Sequence, residues 1–95
     1  MKNGFVYIMA NSRPTLYTGV TNNLKLRTWQ HQQGTFDSFT TNYKLNKFVY
    51  YEALLTIEAA IIREKQIKDM NRKEKLEMIK KFNPKFEDLY PKIIR

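Results

Sequence analysis

The sequence predicts a single small α/β domain over residues 1–95, with the element order β-β-α-β-α-α. A chain of 95 residues can bury only one modest core, so a second domain is not expected. Two short β-favouring runs separated by turn formers come first, and two long helical segments with capping signals come last. Hydrophobic residues make up 42% of the chain, which is enough to form a core without disulfides.

The chain should begin with a β-hairpin. Residues 5–9 and 16–21 are rich in aromatic and β-branched types, and turn-forming residues lie between them. Side chains alternate between the two faces of a strand. Tyr7 is therefore on one face of the first strand, and Tyr17 and Gly19 share one face of the second.

A helix should follow the hairpin, capped by Asn22 or Asn23 and extending to about Gln33. Helical spacing groups three of its residues on one stripe, where polar groups occupy positions expected in a core. The three residues are Leu24, Arg27 and His31.

A polar stretch over residues 34–46 is predicted to be an irregular loop that closes over a site. The aromatic residues expected to hold it down are Phe36, Phe39 and Tyr43. Residues 47–54 form an apolar, β-favouring run, predicted as a strand buried on most of both faces at the centre of the sheet. Three aromatic side chains are expected in the core rather than as platforms for stacking bases. They are Trp29, Tyr50 and Tyr51.

Two further helices are predicted in the C-terminal half. Thr56 should cap the first, and Asn71 with Glu74 forms a capping box for the second. Asn83-Pro84 should end that helix, and residues 86–90 should fold back onto the domain as a short amphipathic turn.

Glu64 occupies the face of the helix after Thr56 that should contact the core. The residues predicted on that face are Ile57, Ala60, Ile61, Glu64 and Lys68. An unpaired buried carboxylate costs on the order of several kcal/mol, so Glu64 should pair with a cation, accept strong hydrogen bonds or lie at the rim of a cleft. Arg27 is the candidate to share such a cleft, and a purely structural ion pair between the two is the alternative.

The net charge favours a polyanionic partner. Seventeen Lys and Arg against nine Asp and Glu give +8, and nucleic acid is the polyanion that such a field attracts most often. A surface made soluble by lysine is the alternative. The chain has no cysteine, which excludes a Cys-ligated zinc site and a thiol nucleophile and suits a reducing compartment. No secretory signal or membrane-length apolar run is present, so a cytoplasmic protein with no membrane partner is expected.

Ordered motifs in the chain resemble the GIY-YIG nucleases. The paired tripeptides correspond to Phe5-Val6-Tyr7 and Tyr17-Thr18-Gly19, and the following helix places Arg27 four residues before His31. The segment 60–68 resembles the one that carries the family's metal-binding glutamate, and the tail resembles the N-P-x-F/W-x-D-L-Y ending of small stand-alone bacterial members. The departures are Phe5 in place of Gly, Val6 in place of Ile and Thr18 in place of Ile. None of them removes a group assigned to catalysis.

The resemblance implies a small three-stranded antiparallel sheet flanked by helices, an α/β (α+β) fold. It also implies a metal-dependent endonuclease that uses Mg²⁺ or Mn²⁺ to hydrolyse phosphodiester bonds in DNA, with repair or recombination as its setting. The residues that would carry the catalytic roles are Tyr7, Tyr17, Arg27, His31 and Glu64.

Each role has a chemical reason. Glu64 would bind the metal as a hard oxygen ligand, and Arg27 would present paired donors to the phosphoryl oxygens. Tyr7 would act as general base or orient the attacking water, which requires nearby positive charge because a free phenol has a pKa near 10. Tyr17 would hydrogen-bond the water or phosphate, His31 would assist the base, and Gly19 would allow a close backbone approach. For the lone histidine, a packed or surface role is the alternative.

A basic stretch beside this site could follow phosphates without reading bases, and a solvated helix face is the alternative. It consists of Arg63, Lys65, Lys68, Arg72, Lys73 and Lys75. Two other functions are also compatible with the sequence. The chain could be a nucleic-acid-binding module that cuts little by itself and relies on a protein partner for its substrate, or it could be a protein–protein adaptor.

Overall fold

The computed structural model describes residues 2–32 and 45–94. Within these ranges the chain forms three strands and four helices. They are β1 (Gly4–Ala10), β2 (Leu16–Thr21), α1 (Leu24–Gln32), β3 (Lys47–Leu54), α2 (Ile57–Asp69), α3 (Arg72–Phe82) and α4 (Tyr90–Ile93). The predicted order β-β-α-β-α-α is confirmed, and the short α4 follows it. No helix in the described part of the chain is both long and apolar enough to cross a membrane.

The three strands form one antiparallel sheet in the order β2-β1-β3. The predicted hairpin is confirmed, and its register pairs Tyr7 of β1 with Gly19 of β2. On its other side Tyr7 pairs with Tyr51 of β3. β1 is therefore the central strand, and the prediction that residues 47–54 lie at the centre was wrong.

β3 is apolar at the edge of the sheet because other elements cover it. Val49 and Tyr50 lie in the core against α2 and α3, whereas Phe48 lies in the core on the opposite face. The C-terminal segment covers the outer edge of β3. The Leu89 N–H donates to the Phe48 carbonyl at 2.8 Å, and the Asp88 carboxylate accepts from the Phe48 N–H at 3.1 Å.

The sheet separates two cores. We call the face that carries Tyr7 and Met9 the front face; α1 and the C-terminal segment cover it. The buried residues of this core are Tyr7, Met9, Leu24, Leu45, Phe48, Leu89 and Ile93. The opposite, back face packs against α2 and α3. The buried residues of that core are Val6, Ile8, Ala10, Val49, Tyr50, Ala60, Ile67 and Ile79.

The predicted helix caps are confirmed. The Asn23 Oδ1 accepts the Leu26 N–H at 3.1 Å, and the Thr56 Oγ1 accepts the Ala59 N–H at 3.1 Å. At α3 the capping box is complete, because the Asn71 side chain accepts the N–H of Glu74 and the Glu74 carboxylate accepts the N–H of Asn71. Each cap satisfies a backbone donor that the first helical turn leaves without an intrahelical partner.

Several predicted burial patterns were wrong. Trp29 was expected in the core but is 52% exposed, because α1 directs Leu24 and Thr28 inward and Trp29 away from the sheet. On α2 the buried positions are Ala60 and Ile67, so the true inner face is rotated from the predicted stripe. Ile61 and Lys68, which belonged to that stripe, are exposed. Tyr50 is buried and Tyr51 is partly buried, as predicted. Phe36, Phe39 and Tyr43 of the predicted loop lie outside the described residues.

Candidate active site

Tyr7 and Gly19 fit together at the boundary between β1 and β2. The Tyr7 side chain is 1% exposed and packs in the front-face core. A Cβ built on Gly19 would lie 2.5 Å from the Tyr7 Oη and 2.6 Å from its Cζ. Glycine therefore leaves the space that the phenol occupies, and the hydroxyl lies over β2. The close backbone approach predicted at Gly19 stays a prediction; the neighbour that requires glycine in the structure is the Tyr7 side chain.

Two more of the predicted residues lie on the same face as Tyr7. Tyr17 pairs with Met9 across the hairpin and packs, partly buried, against the front-face core. His31 of α1 packs edge-on against Phe48, with ring centroids 5.5 Å apart. Phe48 in turn contacts the Tyr7 ring at a centroid distance of 5.5 Å. Phe48 therefore links the histidine to the first tyrosine.

The surroundings of His31 favour its neutral form. Burial lowers the pKa of His31 below its ordinary value of 6.5, while a hydrogen bond with the Leu45 backbone and the charge of Asp88 act in the opposite direction. The Asp88 carboxylate is held in place by the N–H groups of Phe48 and Tyr90. Sequence reasoning assigned no role to Phe48 or Asp88, although Asp88 belongs to the tail motif of the small bacterial members.

Arg27 lies on the flank of α1 opposite Lys25. Leu24 marks the inner face of the helix, and Lys25 lines a pocket with Tyr51 and Ile93 on the side of β3 and α4. Successive residues of an α-helix are about 100° apart, so Arg27 lies on the flank opposite Lys25. Its side chain is half-buried there.

Glu64 reaches the same edge from the other face of the sheet. α2 packs on the back face against β1 and β2. The inner face of α2 is marked by Ala60, and Arg63 points toward β3, where it forms an ion pair with Glu52 at 3.0 Å. Glu64, about 100° further round the helix, therefore lies on the flank toward β2. Its side chain is 18% exposed and forms an ion pair with Lys68 at 3.4 Å.

The five predicted catalytic residues are thus divided between two faces. Tyr7, Tyr17, Arg27 and His31 belong to the front, and Glu64 belongs to the back. Glu64 has Lys68 of its own helix as an ion-pair partner, and the alternative pair of Glu64 with Arg27 stays a prediction.

Comparison with known proteins identifies the family. A sequence model described as the GIY-YIG catalytic domain matches residues 3–83. The chain belongs to the GIY-YIG family. This membership implies nuclease-type chemistry on nucleic acid, in agreement with the arrangement of the two tripeptides on paired strands.

Among its GIY-YIG relatives is a UPF0213 protein of Syntrophus aciditrophicus, 39% identical over 85 residues that cover 88% of this chain and 97% of the relative. A UPF0213 protein of Clostridium perfringens is 37% identical over 75 residues, covering 79% and 81%. One from Staphylococcus epidermidis is 34% identical over 79 residues, covering 83% and 96%. These names specify no activity. No solved structure matches the chain significantly.

The donor set of this GIY-YIG domain fits one mode of metal binding. In the described ranges, no three His, Cys, Asp or Glu side chains cluster closely enough to hold an ion. Mg²⁺ is commonly bound by one or two carboxylates, while water and substrate phosphate complete its octahedron. Glu64, partly buried on the flank toward β2, is suited to be such a single protein ligand.

The predicted phosphate-binding cations do not all face the same way. Lys65, Lys68, Arg72 and Lys73 are exposed. Arg63 belongs to a separate cluster, in which the Tyr50 hydroxyl donates to the Glu52 carboxylate at 2.9 Å and the Arg63 Nε donates to it at 3.0 Å. Burial, reinforced by Glu52, raises the pKa of Tyr50. Arg63 is therefore held on the β3 side of α2, away from β2.

Proposed function

We propose that this GIY-YIG domain is a metal-dependent endonuclease that hydrolyses phosphodiester bonds in DNA at the outer edge of β2. The proposal is supported by the close fit of Tyr7 and Gly19 and by the sides of α1 and α2 on which Arg27 and Glu64 lie. The Tyr7 hydroxyl lies over Gly19, and we infer that the flanks of α1 and α2 that carry Arg27 and Glu64 both turn toward β2. A phosphate at the edge would be within reach of donors from one face and a carboxylate from the other.

Tyr7 is the proposed proton acceptor. As its phenolate, Tyr7 would accept one proton at Oη from the water whose oxygen attacks phosphorus. The bond from phosphorus to the leaving oxygen would break, and the leaving oxygen would take a proton from solvent. The surrounding core excludes water from the ring, so a cation brought close to the phenol, such as the Arg27 guanidinium, would act on it with little screening. Tyr17 would hydrogen-bond the water or a phosphate oxygen from the neighbouring position on the same face.

Arg27 and His31 are the proposed supporting groups. The planar guanidinium of Arg27 can donate two parallel hydrogen bonds to the phosphoryl oxygens as negative charge builds on them. His31, kept neutral by burial, can accept a proton or hold a tyrosine hydroxyl. A divalent ion held by Glu64, when bound, would supply positive charge to the phosphate oxygens.

The test is a nicking assay on supercoiled plasmid and on single-stranded and branched DNA, with Mg²⁺ or Mn²⁺. We expect Glu64→Gln to abolish cutting and Arg27→Lys to reduce it by about 10²–10³-fold, the usual effect of losing a donor to the transition state. Glu58→Gln, on the exposed side of the same helix, removes the same charge and should cut normally. Cutting by Glu64→Gln at the wild-type rate, or no cutting with either metal, would refute the proposal. Preference for the branched substrate would support a role in repair or recombination.

A second candidate is a nucleic-acid-binding module that cuts little without a protein partner. It is favoured by the ion pair of Glu64 with Lys68, which neutralises the carboxylate proposed to hold the metal. Salt-sensitive DNA binding with no nicking under either metal would select this function over the first.

A further inference from the structure

The β1–β2 turn and the start of α3 enclose a basic cleft that the proposed chemistry does not use. Its volume is about 270 Å³. The residues that line it are Pro14, Thr15, Leu16, Arg72 and Lys75. Among the described residues, the lining contains two cations and no carboxylate. The cleft is therefore suited to an anion.

The turn that forms one wall of the cleft is fixed by hydrogen bonds. The buried Asn11 side chain accepts the N–H groups of Arg13 and Thr15 at 3.0 Å and 2.6 Å. The Arg72 guanidinium donates to the Pro14 carbonyl, which holds Arg72 against the turn. Because a guanidinium has five N–H donors, others remain for a ligand.

Neighbouring acidic residues on α3 do not face the cleft. The Glu74 carboxylate accepts the Asn71 N–H in the capping box. Glu77 is five residues after Arg72, which puts it about 140° round the helix, and it lines other pockets, one with Tyr50 and Lys81 and one with Arg72 and Lys80. Neither of these two carboxylates lines the cleft.

The cleft lies at the end of a line of cations that begins beside the proposed active site. α2 starts next to Gly4, where a Cβ on that glycine would contact the Thr56 carbonyl, and the chain reaches the β1–β2 turn at Arg72. α2 thus runs alongside β2 from the Gly19 side toward Leu16. Lys68 lies on the same flank as Glu64, one turn closer to the cleft.

We propose that Lys68, Arg72 and Lys75 bind the phosphate backbone of the nucleic-acid substrate as it leaves the outer edge of β2, with one phosphate seated in the cleft. This rests on the proposed function and deepens it. The contacts are to backbone phosphates, so they contribute affinity and register without base specificity. Other cations of the stretch are excluded from this path: Arg63 faces β3, and Lys73 is fully on the exposed side of α3.

The test is binding of a fluorescently labelled DNA duplex by the full chain, measured by anisotropy in EDTA at several salt concentrations. Lys75→Gln and Arg72→Gln are compared with Lys73→Gln and Lys80→Gln, which remove the same charge from the exposed side of the same helix. A variant that can no longer bind one of the phosphates should show a slope of log K against log salt that is smaller by about 0.9. We expect that reduction for the two cleft variants and an unchanged slope for the two controls.

Arg72→Gln also removes the bond to Pro14, so Lys75→Gln, which leaves that bond intact, is the decisive variant. Equal slopes for Lys75→Gln and Lys73→Gln would overturn the inference, even if the wild-type chain cuts DNA. A reduced slope for Lys75→Gln with an unchanged slope for Lys73→Gln would support the inference, even if no cutting is found with any metal. Absence of duplex binding by the wild type at low salt would overturn the inference directly.

Discussion

The contact between Gly19 and Tyr7 allows a prediction for Gly19→Ala. Two physical effects change the free energy of unfolding in opposite directions, so the sign of the measured change shows which effect is larger. Gly19 does not have the left-handed backbone conformation that only glycine tolerates easily. Gly→Ala at such a position normally stabilises a protein by about 0.4–1 kcal/mol, because it restricts the unfolded chain. In this structure the new methyl group would instead meet three atoms of the Tyr7 side chain, the hydroxyl oxygen and two ring carbons, at 2.5, 2.6 and 3.1 Å.

Tyr7 has little freedom to move away from that methyl group. Its ring is buried against Phe48, and its backbone is at the centre of the sheet, paired on both sides. Overpacking of a buried site typically costs about 1–3 kcal/mol. After the gain from the unfolded state is subtracted, Gly19→Ala should destabilise the fold by roughly 0.5–2 kcal/mol.

Urea unfolding followed by circular dichroism measures this change as a shift in midpoint at constant slope. The matched background is Tyr7→Leu, whose shorter side chain lacks the ring atoms that the methyl group would meet. Gly19→Ala should cost much less in that background, which gives a coupling of about 1 kcal/mol in a double-mutant cycle. A stabilising Gly19→Ala, or the same cost in both backgrounds, would refute the reasoning.

Two other predictions concern His31 and the cap of α3. Burial lowers the pKa of His31 from 6.5, so the fold prefers the neutral imidazole; its contribution to stability is complete above pH 6.5 and is lost as the pH falls below that value toward the lowered pKa. Thermal melts should therefore show a smaller loss of Tm on acidification for His31→Asn than for the wild type, and parallel curves would contradict this. Asn71→Ala removes the side-chain bond to the Glu74 N–H and should cost ~1 kcal/mol in urea unfolding. The neighbouring Lys73→Ala leaves the cap intact and serves as its control, so an equal cost for both variants would exclude the cap as the cause.

The sequence predicts the secondary structure well where a local signal exists. The strands over residues 16–21 and 47–54 have the predicted bounds, and Thr56 and Asn71 cap their helices as predicted. These signals are local because a strand needs a short apolar run, and a cap needs one side-chain oxygen near a free N–H. The β2-β1-β3 order was not recoverable, because an apolar edge strand looks the same as a central one when helices and the tail cover it.

The sequence also failed to predict which face of each helix is buried. A stripe with Ile61 and Lys68 and a stripe with Ala60 and Ile67 both fit helical spacing on α2, and tertiary packing selects the second. Similarly, nothing local shows that α1 turns Trp29 outward. The candidate site residues stay a prediction, and their division between two sheet faces depends on the packing of α1 and α2. That packing cannot be read from either helix alone.

The C-terminal segment affects where the folding unit ends. The family match stops at residue 83, yet Asn83 itself binds the carbonyls of Val49 and Glu87 through its side-chain amide. Leu89 and Ile93 supply buried surface beneath the tyrosines, and Asp88 fixes the end of β3 while facing His31. A chain shortened to the matched residues would keep every group assigned to chemistry. It would nevertheless lose the buried side chains of Leu89 and Ile93 from the core that contains Tyr7, and it would lose the Asp88 carboxylate that faces His31.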